Sequence, residues 1–236
     1  MNFRTLTHAV LLCFSTPLWA LTGDFTKCPE SFIVPPLASD DSQHYALCYN
    51  GFAVQYSAQT KTPVFAAAAL DKERVIGARN TKRQDRFYEE ARLPSKARSL
   101  LSDYKHSGYD RGHMYPAGDS ANDETSAQSM SLANMVPQAS ELNRGIWAKI
   151  ESDTRRYAMR AQGKVYVLTG PAYLNSNSKT IGRGVAVPSH VWKLVQDAST
   201  QKSWAYWIEN SDDAKQPELI DKETLSKRTG LHFYGH

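Results

Sequence analysis

The residues best suited to chemistry lie together at Tyr109-Asp110-Arg111-Gly112-His113-Met114, where an imidazole follows a carboxylate and a guanidinium at the expected end of a strand. A histidine with an ordinary pKa of about 6.5 accepts a proton from water at neutral pH, so His113 is the candidate general base. The other histidines offer less. His44, His106 and His190 have no comparable polar cluster, His8 lies in the N-terminal segment, and His232 and His236 are terminal. Alone, His113 could equally be a packed or surface residue; its neighbours along the chain decide the matter.

Those neighbours are Asn134-Met-Val-Pro-Gln138, then Glu141-Leu-Asn143-Arg-Gly-Ile-Trp147-Ala-Lys-Ile-Glu151, then Arg155. Asn143, Trp147, Glu151 and Arg155 are four apart, so on a helix they drift by only about 40° per step and form one stripe. An amide, a carboxylate and a guanidinium on one stripe suit a metal–phosphate site, the amide oxygen matching a hard cation that keeps its waters, as Mg²⁺ does. The plainer alternative is an exposed stripe with a Glu151–Arg155 pair. His113 tips the choice toward chemistry.

Charge points the same way. The chain carries 28 Lys+Arg against 24 Asp+Glu, a net +4. Residues 72–111 hold 11 basic and 6 acidic side chains, and residues 144–164 hold 6 and 2, while the rest of the chain beyond Ala20 is net −6. Two positive segments on an otherwise acidic protein fit a polyanionic ligand, unless they are merely two separate solvated faces.

The elements that must position these residues read as a mixed set. A chain of 236 residues with 41% hydrophobic and 22% charged residues is ordinary globular composition, which excludes a disordered tail, a collagen-like repeat or a coiled coil. His44 to Leu70 reads as a hairpin, Ser95 to Tyr104 as a short helix, and Gly108 to Ser120 as a strand end entering a loop. A helix capped by Asn122, a strand over Ser131 to Val136 and a long helix from Ser140 to about Gln162 follow. Further strands are expected at Val165–Thr169, Gly184–Val187, Val191–Val195 and Ser203–Ile208, and a helix at Thr224–Arg228 ended by Gly230. With no repeats and no long linker, the expectation is a single α+β domain with antiparallel sheets.

Met1 to Ala20 has a basic residue, an apolar run and a small residue at its end, the pattern of a secretory signal peptide. The expected division is therefore 1–20 signal peptide and 21–236 domain, with a periplasmic or secreted product and no stable membrane association. Cys13 would leave with the signal, and the remaining pair, Cys28 and Cys48, is expected as a disulfide worth roughly 3 kcal/mol.

Asp110-Arg111-Gly112-His113, then Asn134, Pro137-Gln138, Leu142-Asn143-x-Gly145-x-Trp147 and Glu151, resembles the DNA/RNA non-specific endonucleases, the ββα-metal nucleases related to mitochondrial endonuclease G. Arg83-Gln-Asp-Arg-Phe87-Tyr-Glu-Glu90 is similar to the family's Arg-x-x-x-Phe-x-x-Asp element, with Glu90 for the Asp and with Arg79 and Arg86 as competitors of Arg83. Thr169-Gly-Pro171 and Val187-Pro-Ser-His-Val-Trp-Lys193 look like later family segments, so the resemblance runs from about Tyr45 to Asn210.

The resemblance implies a ββα-metal active-site motif and a Mg²⁺-dependent endonuclease (Mn²⁺ as an alternative) acting on DNA and RNA without sequence specificity. His113 would be the general base and Asn143 the one direct metal ligand. Glu151 would orient a water held by the ion without touching it. Arg83 and Arg155 would bind phosphate, and Asn134 would hold His113 and the local backbone. Arg111 would position substrate. The alternative reading is a catalytically inactive nucleic-acid-binding or uptake protein; a phosphodiesterase of smaller nucleotides shares the chemistry. Monomer or homodimer, and a protein inhibitor as partner, stay open.

Overall fold

The computed structural model describes residues 25–38, 43–174 and 179–233; the Met1–Ala20 segment read as a signal peptide lies outside them. After a short strand β1 (Leu37–Ala38), the expected hairpin is a three-strand meander of β2 (His44–Tyr49), β3 (Phe52–Ser57) and β4 (Thr62–Leu70). Asn50-Gly51 forms the extra two-residue turn, with Tyr49 paired to Phe52 and Gly51 at φ 82°. An Asn-Gly pair is the strongest short hairpin signal, and here it outweighs the pattern of the flanking strands.

Helix α1 (Lys72–Asn80) was not expected. Only Val75 is buried in it, so no apolar stripe betrays it, but Asp71 caps it by accepting the Arg74 N–H at 2.8 Å. Helix α2 (Leu101–Tyr104) is shorter than the expected Ser95–Tyr104. Strand β5 (Asp110–His113) and helix α3 (Asp123–Ser129) follow, the latter capped by Asn122 as expected. Leu132–Asn134 makes a tight turn, so β6 starts later than the strand expected over Ser131–Val136 and covers Met135–Gln138.

The long helix expected from Ser140 is not continuous. A single turn, α4 (Ser140–Leu142), runs through a widened turn over Asn143–Trp147 into α5 (Ala148–Ala158), because Gly145 leaves helical geometry at φ −101°, ψ −106°. A wide turn re-aims the residues on either side, and such turns are common at functional sites.

The remaining elements are β7 (Val165–Ala172), β8 (Thr180–Ile181), β9 (Val185–Ala186), β10 (His190–Asp197), β11 (Ser203–Glu209), β12 (Glu218–Ile220), α6 (Lys222–Thr229) and β13 (Leu231–His232). One antiparallel sheet of seven strands, ordered β12-β11-β10-β7-β4-β3-β2, organises the molecule. Side chains alternate across it. One face, with Val54, Ala66 and Val191, packs against the unit made by β5, β6 and α5 through Val136, Trp147 and Ile150. The opposite face, with Phe65, Trp192 and Leu194, is covered by Phe25 and Phe32 from the start of the chain and Leu225 of α6. Cys28 and Cys48 are disulfide-bonded and tie that starting segment to β2. The chain is a single α+β domain, and among the described residues no helix is long and apolar enough to cross a membrane.

Candidate active site

Strands β5 and β6 pair with Asp110 opposite Gln138 and His113 opposite Met135. Glycine at 112 is a steric requirement of that pairing, since a β-carbon there would meet the Gln138 side-chain oxygen at 2.1 Å. The tight pairing sets Arg111 and His113 against the widened turn of the following helix. Between them lies a cavity of about 470 Å³ lined by both residues and by Arg83, Asn143, Glu151 and Arg155, among others. Arg79 and Arg86 do not line it, which singles out Arg83 among the three arginines.

Four arginines face this cavity: Arg83 and Arg111 from the first basic segment, Arg144 and Arg155 from the second. Two stretches far apart in sequence thus converge on one concave positive surface. Each guanidinium is held by a different device. Arg83, 57% exposed, pairs with Asp85 at 2.7 Å, and Arg111 lies over the Phe87 ring at 4.2 Å. Arg144 forks onto both oxygens of Asp110 at 2.7 and 2.8 Å, and Arg155 donates to buried Asp119 at 2.8 Å. A planar guanidinium fork held in place in this way is pre-arranged to bind two oxygens of a phosphate.

His113 departs from expectation in its proton affinity. Burial, reinforced by the Arg83 charge, lowers its pKa to about 3, so the imidazole is neutral throughout the physiological range. Its Nε2 is buried without a hydrogen-bond partner. Glu151 is shifted the other way: burial raises its pKa to about 7, against the lowering influence of Lys193. A neutral imidazole and a carboxyl group titrating near neutrality, in one cavity, form an acid–base pair set by environment.

Two details differ from the sequence reading. Asn134, expected to hold His113 and the local backbone, is fully buried and does not line the cavity. Its side chain accepts the Tyr115 N–H at 2.8 Å and donates to the carbonyls of Tyr115 and Ser129 at 2.9 and 3.0 Å. Asn134 therefore fixes the backbone that follows His113 and makes no hydrogen bond to the imidazole. The single stripe is also incomplete: Asn143, Glu151 and Arg155 face the cavity, whereas Trp147 is buried in the core. Arg155, moreover, pairs with Asp119 rather than with Glu151.

Whether a divalent ion fits can be judged from the donors. Among the described residues no group of three or more His, Cys, Asp or Glu side chains comes together to hold a metal. The cavity instead offers Asn143, whose amide nitrogen donates to Asp110 Oδ2 at 3.0 Å, which turns its oxygen to other uses. One amide oxygen in a roomy polar cavity suits a hard cation that keeps most of its water, and suits a soft or thiolate-seeking metal poorly.

Asp119 and Lys193 were missed. Asp119 sits in the Pro116-Ala-Gly-Asp loop with no spacing relation to Arg155, so nothing local announced it. Lys193 did leave a signal: a lone charge inside the apolar run Val191-Trp-Lys-Leu-Val195 must be buried if that run is an interior strand.

Known proteins are similar to this chain in sequence. A mouse protein named mitochondrial nuclease EXOG is 29% identical over 220 residues, covering 84% of this chain and 58% of its own length. A mitochondrial nuclease of Saccharomyces cerevisiae is 33% identical over 208 residues, covering 75% of this chain and 62% of its own. Nuclease C1 of Cunninghamella echinulata is 35% identical over 167 residues, 63% of this chain and 66% of its own length. The chain thus spans less than two thirds of the length of these relatives. A solved structure of an EndoG/EndoGI complex, described as showing the mechanism of EndoG inhibition, superposes with a TM-score of 0.69 at 27% identity, covering 80% of this chain and 84% of that one. The expectation of a periplasmic or secreted protein is overturned by the relatives, since those from mouse and Saccharomyces cerevisiae are mitochondrial by name. The family model described as DNA/RNA non-specific endonuclease matches residues 30–234, and this chain belongs to that family.

Proposed function

We propose that this chain is a metal-dependent endonuclease that hydrolyses phosphodiester bonds of DNA and RNA without sequence specificity. The observation that carries the reading is the convergence of four arginines, a neutral histidine, the Asn143 amide and Glu151 on one cavity. Arg83 and Arg155 hold the scissile phosphate and offset the charge that builds on its oxygens as water attacks. Arg111 and Arg144 grip neighbouring phosphates. Contacts of this kind carry no base information, so cleavage is insensitive to sequence and sensitive to salt.

His113 accepts the proton of the attacking water with the free lone pair of its neutral imidazole. Its low proton affinity keeps that lone pair available, and a bound phosphate opposes the effect of Arg83 and strengthens it as a base. Asn143 would hold the divalent ion, with Mg²⁺ the first choice and Mn²⁺ the second; when bound, the ion supplies Lewis-acid stabilisation of the departing oxygen. Glu151, as a carboxylate, accepts hydrogen bonds from water in the cavity and orients it. Asn134, through the Tyr115 backbone, keeps the strand end carrying His113 in place. A protein inhibitor is a fitting partner, on the precedent of the EndoG/EndoGI complex.

The test is to incubate the purified protein with supercoiled plasmid and with RNA, in Mg²⁺ or in EDTA. Cleavage of both substrates that needs the ion and falls by about 10²–10⁴ in His113→Ala is expected. Nicking that persists in EDTA, or survives His113→Ala undiminished, would sink the mechanism. Binding without cleavage under several divalent ions would favour an inactive nucleic-acid-binding module.

A further inference from the structure

Among the described residues Lys193 is the only lysine or arginine buried outright, 1% exposed in the interior strand β10. It shares the sheet face of Val191 and Val195, the side on which α5 packs. Its Nζ donates to Thr169 Oγ1 at 2.7 Å across the β7–β10 pair and stands 5.3 Å from the centre of the Trp147 ring. No carboxylate lies within 4.0 Å of it among the described residues. A buried ammonium satisfied by one hydroxyl and an aromatic face is costly to keep unless a negative charge answers it. Trp147 lies one helical turn before Glu151, so the ammonium sits beneath the wall from which Glu151 faces the cavity.

We propose that Lys193 is a positioning residue for Glu151, its buried ammonium acting through the α5 wall as the countercharge that keeps the Glu151 side chain ionised and directed at the cavity. Apart from Arg111, which lies over the Phe87 ring, the other charges lining the Glu151 cavity are already answered. Arg155 is paired with Asp119, and exposed Arg83 with Asp85. Asp110 at the far end of the cavity is neutralised by Arg144, and His113 on β5 is uncharged. Lys193 is accordingly the leading influence that lowers the Glu151 pKa against burial, and Glu151 is the leading influence that raises that of Lys193 against its own burial.

The effect on turnover rests on the proposed nuclease activity; the charge coupling does not, so the two are tested separately. In the metal-free full chain, the ¹⁵Nζ resonance of Lys193, assigned by its loss in Lys193→Arg, is followed from pH 5 to 9. A step at the midpoint of Glu151, near 7, that vanishes in Glu151→Gln is expected; a resonance flat through that range overturns the proposal. In the second arm, Lys193→Met moves the acidic limb of the kcat–pH profile upward by about one pH unit, and makes no further change in a Glu151→Gln background. An unmoved limb, or an equal loss in both backgrounds, marks a merely structural lysine. If Lys193→Met does not melt cooperatively, the resonance of the unaltered chain and of Glu151→Gln still decides. Absence of any cleavage removes the nuclease reading and leaves the coupling to stand or fall on the resonance.

Discussion

Glu90 and Glu151 are both enclosed carboxylates, and their surroundings are opposite. Glu90 accepts hydrogen bonds from Tyr49 at 2.6 Å, from Ser131 at 3.0 Å and from Arg92 at 2.8 and 2.9 Å, and Arg92 in turn lies over the Tyr49 ring. Burial alone would raise its pKa, but the Arg92 and Tyr49 bonds prevail and bring it to about 2. Glu151 faces a cavity in which Arg155 and Arg83 are paired with other carboxylates, and burial, only partly offset by Lys193, pushes it up to about 7. The fold therefore saturates one carboxylate with donors and leaves the other short of them. The first staples the segment after Arg83 to β2; the second keeps a proton equilibrium at the pH where the cavity works.

The largest effect should come from breaking the saturated site. Glu90→Gln removes the charge that accepts from Tyr49, Ser131 and half-exposed Arg92 and should cost about 3 kcal/mol of stability. Its turnover per folded molecule should stay within a few-fold, measured on the melted fraction and initial rates together. The sign with pH follows from the depressed pKa. The Glu90 contribution, on the order of 3 kcal/mol, is complete above 4.5 and is lost as pH falls toward 2. The acid unfolding curve of Glu90→Gln should therefore be flatter over that window than that of the unaltered chain.

Glu151→Gln tests the other half. Cleavage of plasmid should fall by about 10²–10³ with KM little changed, because the amide cannot take over the carboxylate's hold on water. A fall confined to KM would make Glu151 a substrate-binding residue, and the contrast with Glu90 would lose its meaning.

These two glutamates also show what the sequence could and could not convey. Glu90 was legible as the variant position of a motif, and the donors that Tyr49 and Ser131 supply lie 41 residues away on either side. The Asp110–His113 strand and its glycine were legible because a tight strand pair imposes a local requirement that recurs as a motif. Asn143, Glu151 and Arg155 were placed by helical spacing, yet that spacing also kept Trp147 with them, which packs into the core instead. The low proton affinity of His113 and the burial of Lys193 opposite Trp147 arise from contacts between distant segments. Helix α1, with one buried residue, had a cap and no stripe.

A smaller effect should separate the two regions mechanically. Arg92, which grips Glu90, also donates to the Cys48 carbonyl at 2.8 Å, so the Cys28–Cys48 bond belongs to the saturated region. Its reduction should cost roughly 3 kcal/mol by the loop-closure argument. The acidic limb of the kcat–pH profile, which reports Glu151, should not move. A moved limb would mean that the two regions are coupled through β2 and the sheet.

The smallest effect reverses the usual direction of a mutation. A carboxyl group whose folded pKa is raised contributes fully below its ordinary 4.5 and loses that contribution as pH rises through about 7. Ionised Glu151 thus strains the metal-free fold at alkaline pH. Allowing for its partial exposure, Glu151→Gln should be more stable than the unaltered chain by about 1–3 kcal/mol at pH 8, with the difference shrinking toward zero at pH 5. Denaturant melts of both proteins in EDTA at the two pH values measure it. Since Glu151→Gln is also the variant expected to lose turnover, a gain in stability at pH 8 would identify the missing donors around Glu151 as a cost the fold bears for its chemistry. Equal stabilities at both pH values would instead place Glu151 beside Glu90, as a carboxylate whose surroundings already satisfy it.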